Sequence, residues 1–243
     1  MRFEPSEYTE RVYYSRLQGR LHHMRRLRYM AEVCRRTLPD FSALDGLDIG
    51  CHDLFFYYLL GKSHRRFVGI DVNWENGLDF ARRNLRQCGW SEVAVVEGQA
   101  ERLPFNDGSF DVVYCFETIE HMSDFAIGIG EIDRVLKPGG MAFVSFPIEM
   151  GPTLLAKQLL RRIVYFGRPT YTYRWGELWQ GVVRGDLSKV DRHPCGHKGF
   201  DFRAALRELG HRGYEVVHQS PFPFGRLPAA LNLTYTAALR KPA

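Results

Sequence analysis

Several features that would place this chain in a class at once are missing from it. Its five cysteines, Cys34, Cys51, Cys88, Cys115 and Cys195, are odd in number and scattered. They indicate neither a disulfide framework nor a paired-cysteine zinc site, and reduced thiols of a cytoplasmic protein are expected. No uninterrupted apolar run is long enough to span a bilayer, and Met1-Arg2-Phe3-Glu4-Pro5 does not begin a secretory signal. No low-complexity linker and no internal repeat divides the chain. A length of 243 residues would allow two domains, but one is expected, and 45% hydrophobic residues suffice for its core. The net charge of +5 says little about partners unless it is concentrated.

It is concentrated near the start. From Ser15 onward, Leu17, Leu21, Met24, Ala31, Cys34 and Leu38 recur at helical spacing, while Arg16, Arg20, Arg25, Arg26, Arg28, Arg35 and Arg36 fill much of the remainder. Residues 1–42 therefore read as a helical cover over the sheet edge or the substrate mouth, with a solvated arginine face. A contact with phosphate, anionic lipid or nucleic acid is the alternative. Nucleic acid is the less favoured partner, because no recognisable RNA-binding module accompanies the arginines.

Strand and helix signals then alternate. Strands are expected at Ala43 to Ile49, Arg66 to Asp71, Glu92 to Val96, Asp111 to Phe116 and Met141 to Phe146, with helices near Leu54 to Leu60 and Glu75 to Cys88. Tyr214 to Gln219 and Thr234 to Leu239 read as a terminal hairpin and bring the strands to seven. Such alternation calls for an α/β fold, a mostly parallel sheet sandwiched by helices. The expected organisation is a cofactor-binding core at 43–147, a lid or substrate insertion at 148–199, and a C-terminal helix with the strand hairpin at 200–243.

Short motifs in this core carry a resemblance. Gly98-x-Ala100-Glu101-x-Leu103-Pro104-Phe105, Phe110-Asp111-Val112-Val113, Glu120-His121 and Arg134-Val135-Leu136-Lys137-Pro138-Gly139-Gly140 stand in the order and spacing of the class I S-adenosylmethionine-dependent methyltransferases. The chain closely resembles that family over about residues 44–147 and weakly over the final strands. The resemblance implies a Rossmann-like seven-stranded sheet with one antiparallel strand, S-adenosylmethionine as cofactor, and methyl transfer to a small-molecule acceptor.

Open α/β sheets bind ligands beyond the carboxyl ends of their strands, where strand order reverses. Asp48-Ile49-Gly50-Cys51-His52-Asp53-Leu54 follows the first strand at the position of the family's glycine-rich loop. Gly50 permits close backbone approach, and Asp48 can receive a hydrogen bond from the cofactor's ammonium group. Asp71 closes the second strand, where a carboxylate can take both ribose hydroxyls. Gln99 and Ala100 follow the third, beside the adenine. Cys51, Val72 and Phe116 complete the expected cofactor-binding set.

An acid at the end of the second strand would also suit a nicotinamide dinucleotide, but Gly50 to Phe55 lacks the later glycines that a pyrophosphate loop needs. His52 and Leu54 stand where the family usually has glycine, and each costs about 1–2 kcal/mol if forced to positive φ. A relative that no longer binds the cofactor, serving as an interaction protein, is therefore the alternative from another class. A nucleic-acid methyltransferase is a third.

In-line transfer from a sulfonium needs alignment of the nucleophile and, for a hydroxyl, removal of a proton. Glu117, Glu120 and His121 stand at i, i+3 and i+4, so a helix starting there would put them on one face at the cofactor mouth. His121 is the expected general base. The chain is similar in Glu117-x-x-Glu120-His121 to ubiquinone-pathway O-methyltransferases, which implies a divalent ion such as Mg²⁺ on these residues. The alternative is that Glu120 and His121 hydrogen-bond surrounding loops and hold no metal.

The segment from Pro147 to Phe200 leaves the core pattern and is expected to choose the substrate. Leu155, Leu159, Ile163 and Phe166 share a helical face opposite Lys157, Arg161 and Arg162, which suits a lid or a peripheral contact with an anionic membrane surface. Tyr165, Tyr171, Tyr173, Trp175 and Trp179 can wall a pocket for a ring-shaped acceptor. His193-Pro194-Cys195-Gly196-His197 crowds three ligand types without zinc-finger spacing, so His193 or His197 is expected to face the acceptor instead. The acceptor reading is a hydroxyl of a quinone precursor, sugar, lipid or natural product.

Overall fold

A computed structural model describes residues 2–14, 19–164, 173–192 and 197–243. Among these, β1 (Asp45–Ile49), β2 (Arg66–Asp71), β3 (Val93–Glu97), β4 (Phe110–Phe116), β5 (Leu136–Pro147), β6 (Glu215–Phe222) and β7 (Thr234–Arg240) form one sheet in the order β3-β2-β1-β4-β5-β7-β6. β1 to β5 are parallel, and β7 lies antiparallel between β5 and β6. The expected seven-stranded, mostly parallel sheet is the one found. Strand order reverses at β1, which pairs with β2 on one side and β4 on the other.

Helices cover both faces: α1 (Glu7–Thr9), α2 (Arg25–Thr37), α3 (Phe55–Leu60), α4 (Gly77–Cys88), α5 (Phe125–Val135), α6 (Gly151–Val164), α7 (Trp175–Trp179) and α8 (Phe202–His211). Alternation along β4 sorts its side chains between two cores. Val113 and Cys115 join Ile129, Ile132 and Leu209 under α5 and α8, while Val112 and Tyr114 join Met30, Cys34, Phe55 and Leu78 under α2, α3 and α4. Because both faces are covered, β1 is buried along its whole length, as central parallel strands are. Asp124 starts α5 by accepting from the amides of Ala126 and Ile127, and Asp201 starts α8 by accepting from Arg203.

Two expectations fail here. The arginine face of α2 is only partly solvated: Arg25, Arg28 and Arg36 are exposed, but Arg26 is buried and points into the molecule. In the insertion, Trp175 and Trp179 are 76% and 58% exposed and do not line the cleft at the strand ends. They sit four residues apart on a short helix whose opposite side buries Glu177 and Leu178, so composition alone did not tell which side faced in. α6 likewise turns Leu154 and Gln158 inward and leaves Leu155 and Leu159 outside. Tyr165, Phe166, Tyr171, His193 and Cys195 lie outside the described residues, and the side chains of Arg161, Arg162 and Ile163 are not described. Among the described residues, no helix is long and apolar enough to cross a membrane.

Candidate active site

A cleft opens at the carboxyl ends of β1 and β2, where the strand order reverses. Of the eight residues expected to bind cofactor, Gly50, Asp71, Val72 and Ala100 line it, joined by Gly98, Glu101 and Thr118, with His121 and Met122 at its far side. Asp48 lies beneath, 3% exposed, with Oδ2 buried and lacking a hydrogen-bond partner among the described residues. Burial, and then the nearby Asp71, push the Asp48 carboxyl up to about 8. Gly50 has φ +80°, and a Cβ there would come 2.2 Å from Thr118 Oγ1, so no other residue fits. Three expected residues do not reach the cleft wall. Cys51 is buried with its sulfur against Gly69, Phe116 packs edge-on against Phe56 at 4.6 Å, and Gln99 yields its place to Gly98 and Ala100.

His52 and Leu54 do adopt positive φ, 47° and 68°. Each is compensated locally. Leu54 is fully buried, and burying a leucine contributes about 1.5–3 kcal/mol, enough to offset the strain. His52 donates its backbone N–H to Asp71 Oδ2 at 3.0 Å, while its ring Nε2 lies 2.9 Å from Ser6 Oγ and Tyr8 packs edge-on against it at 4.9 Å. Asp53 accepts from the amide of Ser6 at 2.8 Å and from that of Phe55 at 3.1 Å. Asn84 bonds both the Glu4 backbone and the Asp53 carbonyl. The N-terminal segment is thus tied onto the cofactor loop through side chains far from it in sequence.

Glu117, Glu120 and His121 do not share a helical face. Glu117 has φ 51°, and only a single 3₁₀ turn, Ile119–His121, follows it before Asp124 starts α5. Glu117 turns away to ion-pair with Arg26 at 2.9 Å and to accept from Ser145 Oγ at 3.1 Å. Burial, the largest single influence, would lower the Arg26 guanidinium, but Glu117, Tyr13, Glu120 and Tyr8 together outweigh it and the group is raised above its ordinary value. Glu120 is fully buried, with both carboxylate oxygens lacking hydrogen-bond partners among the described residues. Burial, then Glu117, raise its carboxyl well above the usual range. His121 is lowered to about 4, by burial first and then by His197, and not poised near its ordinary value as expected.

His197 enters from the insertion, its Nε2 3.7 Å from Glu120 Oε1 and its Nδ1 3.8 Å from Glu149 Oε1. Sequence offered only a weak hint of this, in the His/Cys cluster; Arg26, Thr118, Ser145 and Glu149 carried no signal at all. The expected divalent-ion set does not fit, because Glu117 is held by Arg26. The group that does converge is Glu120, His121 and His197, whose ligand atoms lie within 4.8 Å of one another. A larger groove, about 570 Å³, is lined by Phe125, Arg192, Phe200 and Arg207 among others, and Arg192 also donates to the carbonyls of Glu120 and Met122 beside the cleft.

A methyltransferase-domain family model matches residues 47–144, which run from within β1 through β2, β3, β4 and the cleft to most of β5. The chain carries a methyltransferase domain. This domain is similar to the demethylmenaquinone methyltransferase of Lactococcus lactis, 32% identical over 43% of this chain and 42% of that protein. The chain thus spans about two fifths of that relative's length. The demethylmenaquinone methyltransferase of Geobacillus kaustophilus is 27% identical over 92% of both chains. Among solved structures, the N-methyltransferase NodS of Bradyrhizobium japonicum in complex with S-adenosyl-L-homocysteine superposes with a TM-score of 0.61 at 15% identity, covering 98% of each chain. At that identity the match speaks for the fold. The fold is accordingly the Rossmann-like methyltransferase fold expected from the motifs.

Proposed function

We propose that the chain transfers the methyl group of S-adenosylmethionine to a hydroxyl oxygen of a small, ring-bearing acceptor. The observation that carries this reading is the pairing of Asp48, whose buried Oδ2 has no hydrogen-bond partner among the described residues, with Asp71 at the edge of the same cleft. Asp48 faces the ammonium group in this reading, Asp71 takes ribose hydroxyls with its remaining lone pairs, and Gly98 and Ala100 border the adenine. S-adenosylmethionine supplies an already activated methyl. The protein aligns the acceptor and takes its proton, and His121, neutral through the physiological range, is placed to receive it. His197 flanks the acceptor from the insertion. The names of the curated relatives favour a quinone-type ring as acceptor.

No step relies on a metal. Two imidazoles and one buried carboxylate are a poor donor set for Mg²⁺, which prefers oxygen ligands and keeps several waters. The deciding experiment has two stages. Calorimetry with S-adenosylhomocysteine should show saturable heat; none at high ligand concentration would favour the non-catalytic alternative. Methyl transfer from labelled cofactor to a panel of phenols and quinols, with mass spectrometry of the product, should then locate the label on oxygen. Label on a ring carbon would overturn the acceptor atom, and label on RNA would overturn the acceptor class.

A further inference from the structure

We propose that the insertion is a docking surface for an anionic lipid bilayer, the source from which an apolar acceptor reaches the cleft. Trp175, Trp179 and Val183 stand at i, i+4 and i+8 on α7 and the helical turn that continues it, Gln180–Arg184, and are 76%, 58% and 58% exposed. Residues spaced by four form one stripe along a helix. α6 lies beside it, with Leu154 against Gly181, and turns a second exposed pair outward, Leu155 and Leu159. On the other side of α6, Thr153 Oγ1 donates to the Ala230 carbonyl at 3.0 Å, which brings the exposed Leu231 alongside. Three neighbouring elements therefore show water the large apolar side chains that a globular core would cover.

The charges around the stripe point to lipid. Arg174 and Arg184, at its two ends, are exposed, as is Arg226 on the link between β6 and β7. The acid within the stripe's helix, Glu177, is turned inward and paired with Lys198 at 2.9 Å. Indole rings flanked by arginines are suited to the headgroup boundary of an anionic membrane, where the ring sits at the apolar edge and the cation meets phosphate. The proposal rests on the methyltransferase reading only for its purpose, since vesicle binding is measured without cofactor or acceptor.

The test is co-sedimentation with phosphatidylglycerol and phosphatidylcholine vesicles, with tryptophan emission recorded in parallel. The wild-type protein should partition onto phosphatidylglycerol at low salt with a blue shift, bind phosphatidylcholine at least tenfold more weakly, and come off as salt rises. W175S/W179S should lose at least tenfold in partitioning, and R174E/R184E should lose the preference for phosphatidylglycerol. An unchanged melting temperature and unchanged S-adenosylhomocysteine binding would show that both variants fold. R25E/R28E, on α2, should bind vesicles like the wild type. Absence of partitioning at low salt, wild-type binding by W175S/W179S, or loss of binding by R25E/R28E alone would each overturn the proposal. So would a concentration-dependent dimer, seen by light scattering, that W175S/W179S abolishes, because a second copy would then be the occupant.

Discussion

Cofactor affinity should depend on pH through Asp48. Its carboxyl titrates at about 8 in the folded protein, against about 3.9 for an unperturbed aspartate. Between these values the folded chain holds a proton that the unfolded chain has released. The stability linked to this proton is therefore complete at the acid end and is lost progressively as pH rises toward 8. An ammonium group docked on Asp48 requires the carboxylate, so binding below pH 8 must expel the proton. From pH 7 to pH 6 the dissociation constant of S-adenosylhomocysteine should rise roughly tenfold, about 1.4 kcal/mol. Calorimetry in buffers of different ionisation heat should count close to one proton released per ligand bound at pH 6. Asp48→Asn should flatten this slope and weaken binding at pH 8. Affinity unchanged across pH 6 to 8, or an Asp48→Asn variant that keeps the wild-type slope, would refute the placement of the ammonium on Asp48.

Other perturbations have equally definite outcomes. Arg26→Met strands Glu117, only 13% exposed at its side chain, and should cost about 3 kcal/mol in urea unfolding; adding Glu117→Gln should recover more than half of that loss. Gly50→Ala drives a methyl into Thr118 and forces a left-handed alanine, so S-adenosylhomocysteine binding should disappear, and Thr118→Ser should not restore it because φ is unchanged. Asp71→Ala should weaken the same ligand by about 1.5–3 kcal/mol, measured by calorimetry, as expected for a charged hydrogen bond. For turnover on an identified acceptor, the acid limb of the pH profile should lie below pH 5, in keeping with His121 at about 4, and His121→Ala should remove it; a limb near 6.5 that survives His121→Ala would exclude His121 as the base.

What could be read from the sequence was local. Apolar runs such as Asp111 to Phe116 and turn-bounded segments such as Arg66 to Asp71 placed all seven strands within a few residues, because central parallel strands must be apolar on both faces. That Gly50 and Asp71 stand at the cleft was legible because strand ends in this architecture are fixed points. The helical face of Glu117, Glu120 and His121 was not, since periodicity assumes a helix and Glu117 instead adopts a left-handed turn that swings its carboxylate toward Arg26. That partner is 91 positions away, and no spacing rule reaches it. Trp175 and Trp179 failed for a different reason: an amphipathic pattern says that two sides differ, and leaves the inward side to be decided by neighbours such as Gly181 and Leu154.

The tie between Ser6 and His52 makes the cofactor loop and the N-terminal segment one thermodynamic unit. His52 holds Asp71 with its backbone and Ser6 with its ring, so a ligand on Asp71 that keeps the His52 bond and whatever orders residues 2–14 should strengthen each other, and by the same factor. S-adenosylhomocysteine should accordingly shield the segment around Ser6 from protease and slow its amide exchange. Conversely, an affinity tag fused directly ahead of that segment, or its deletion, would enter the measured binding constant without touching a single residue of the cleft.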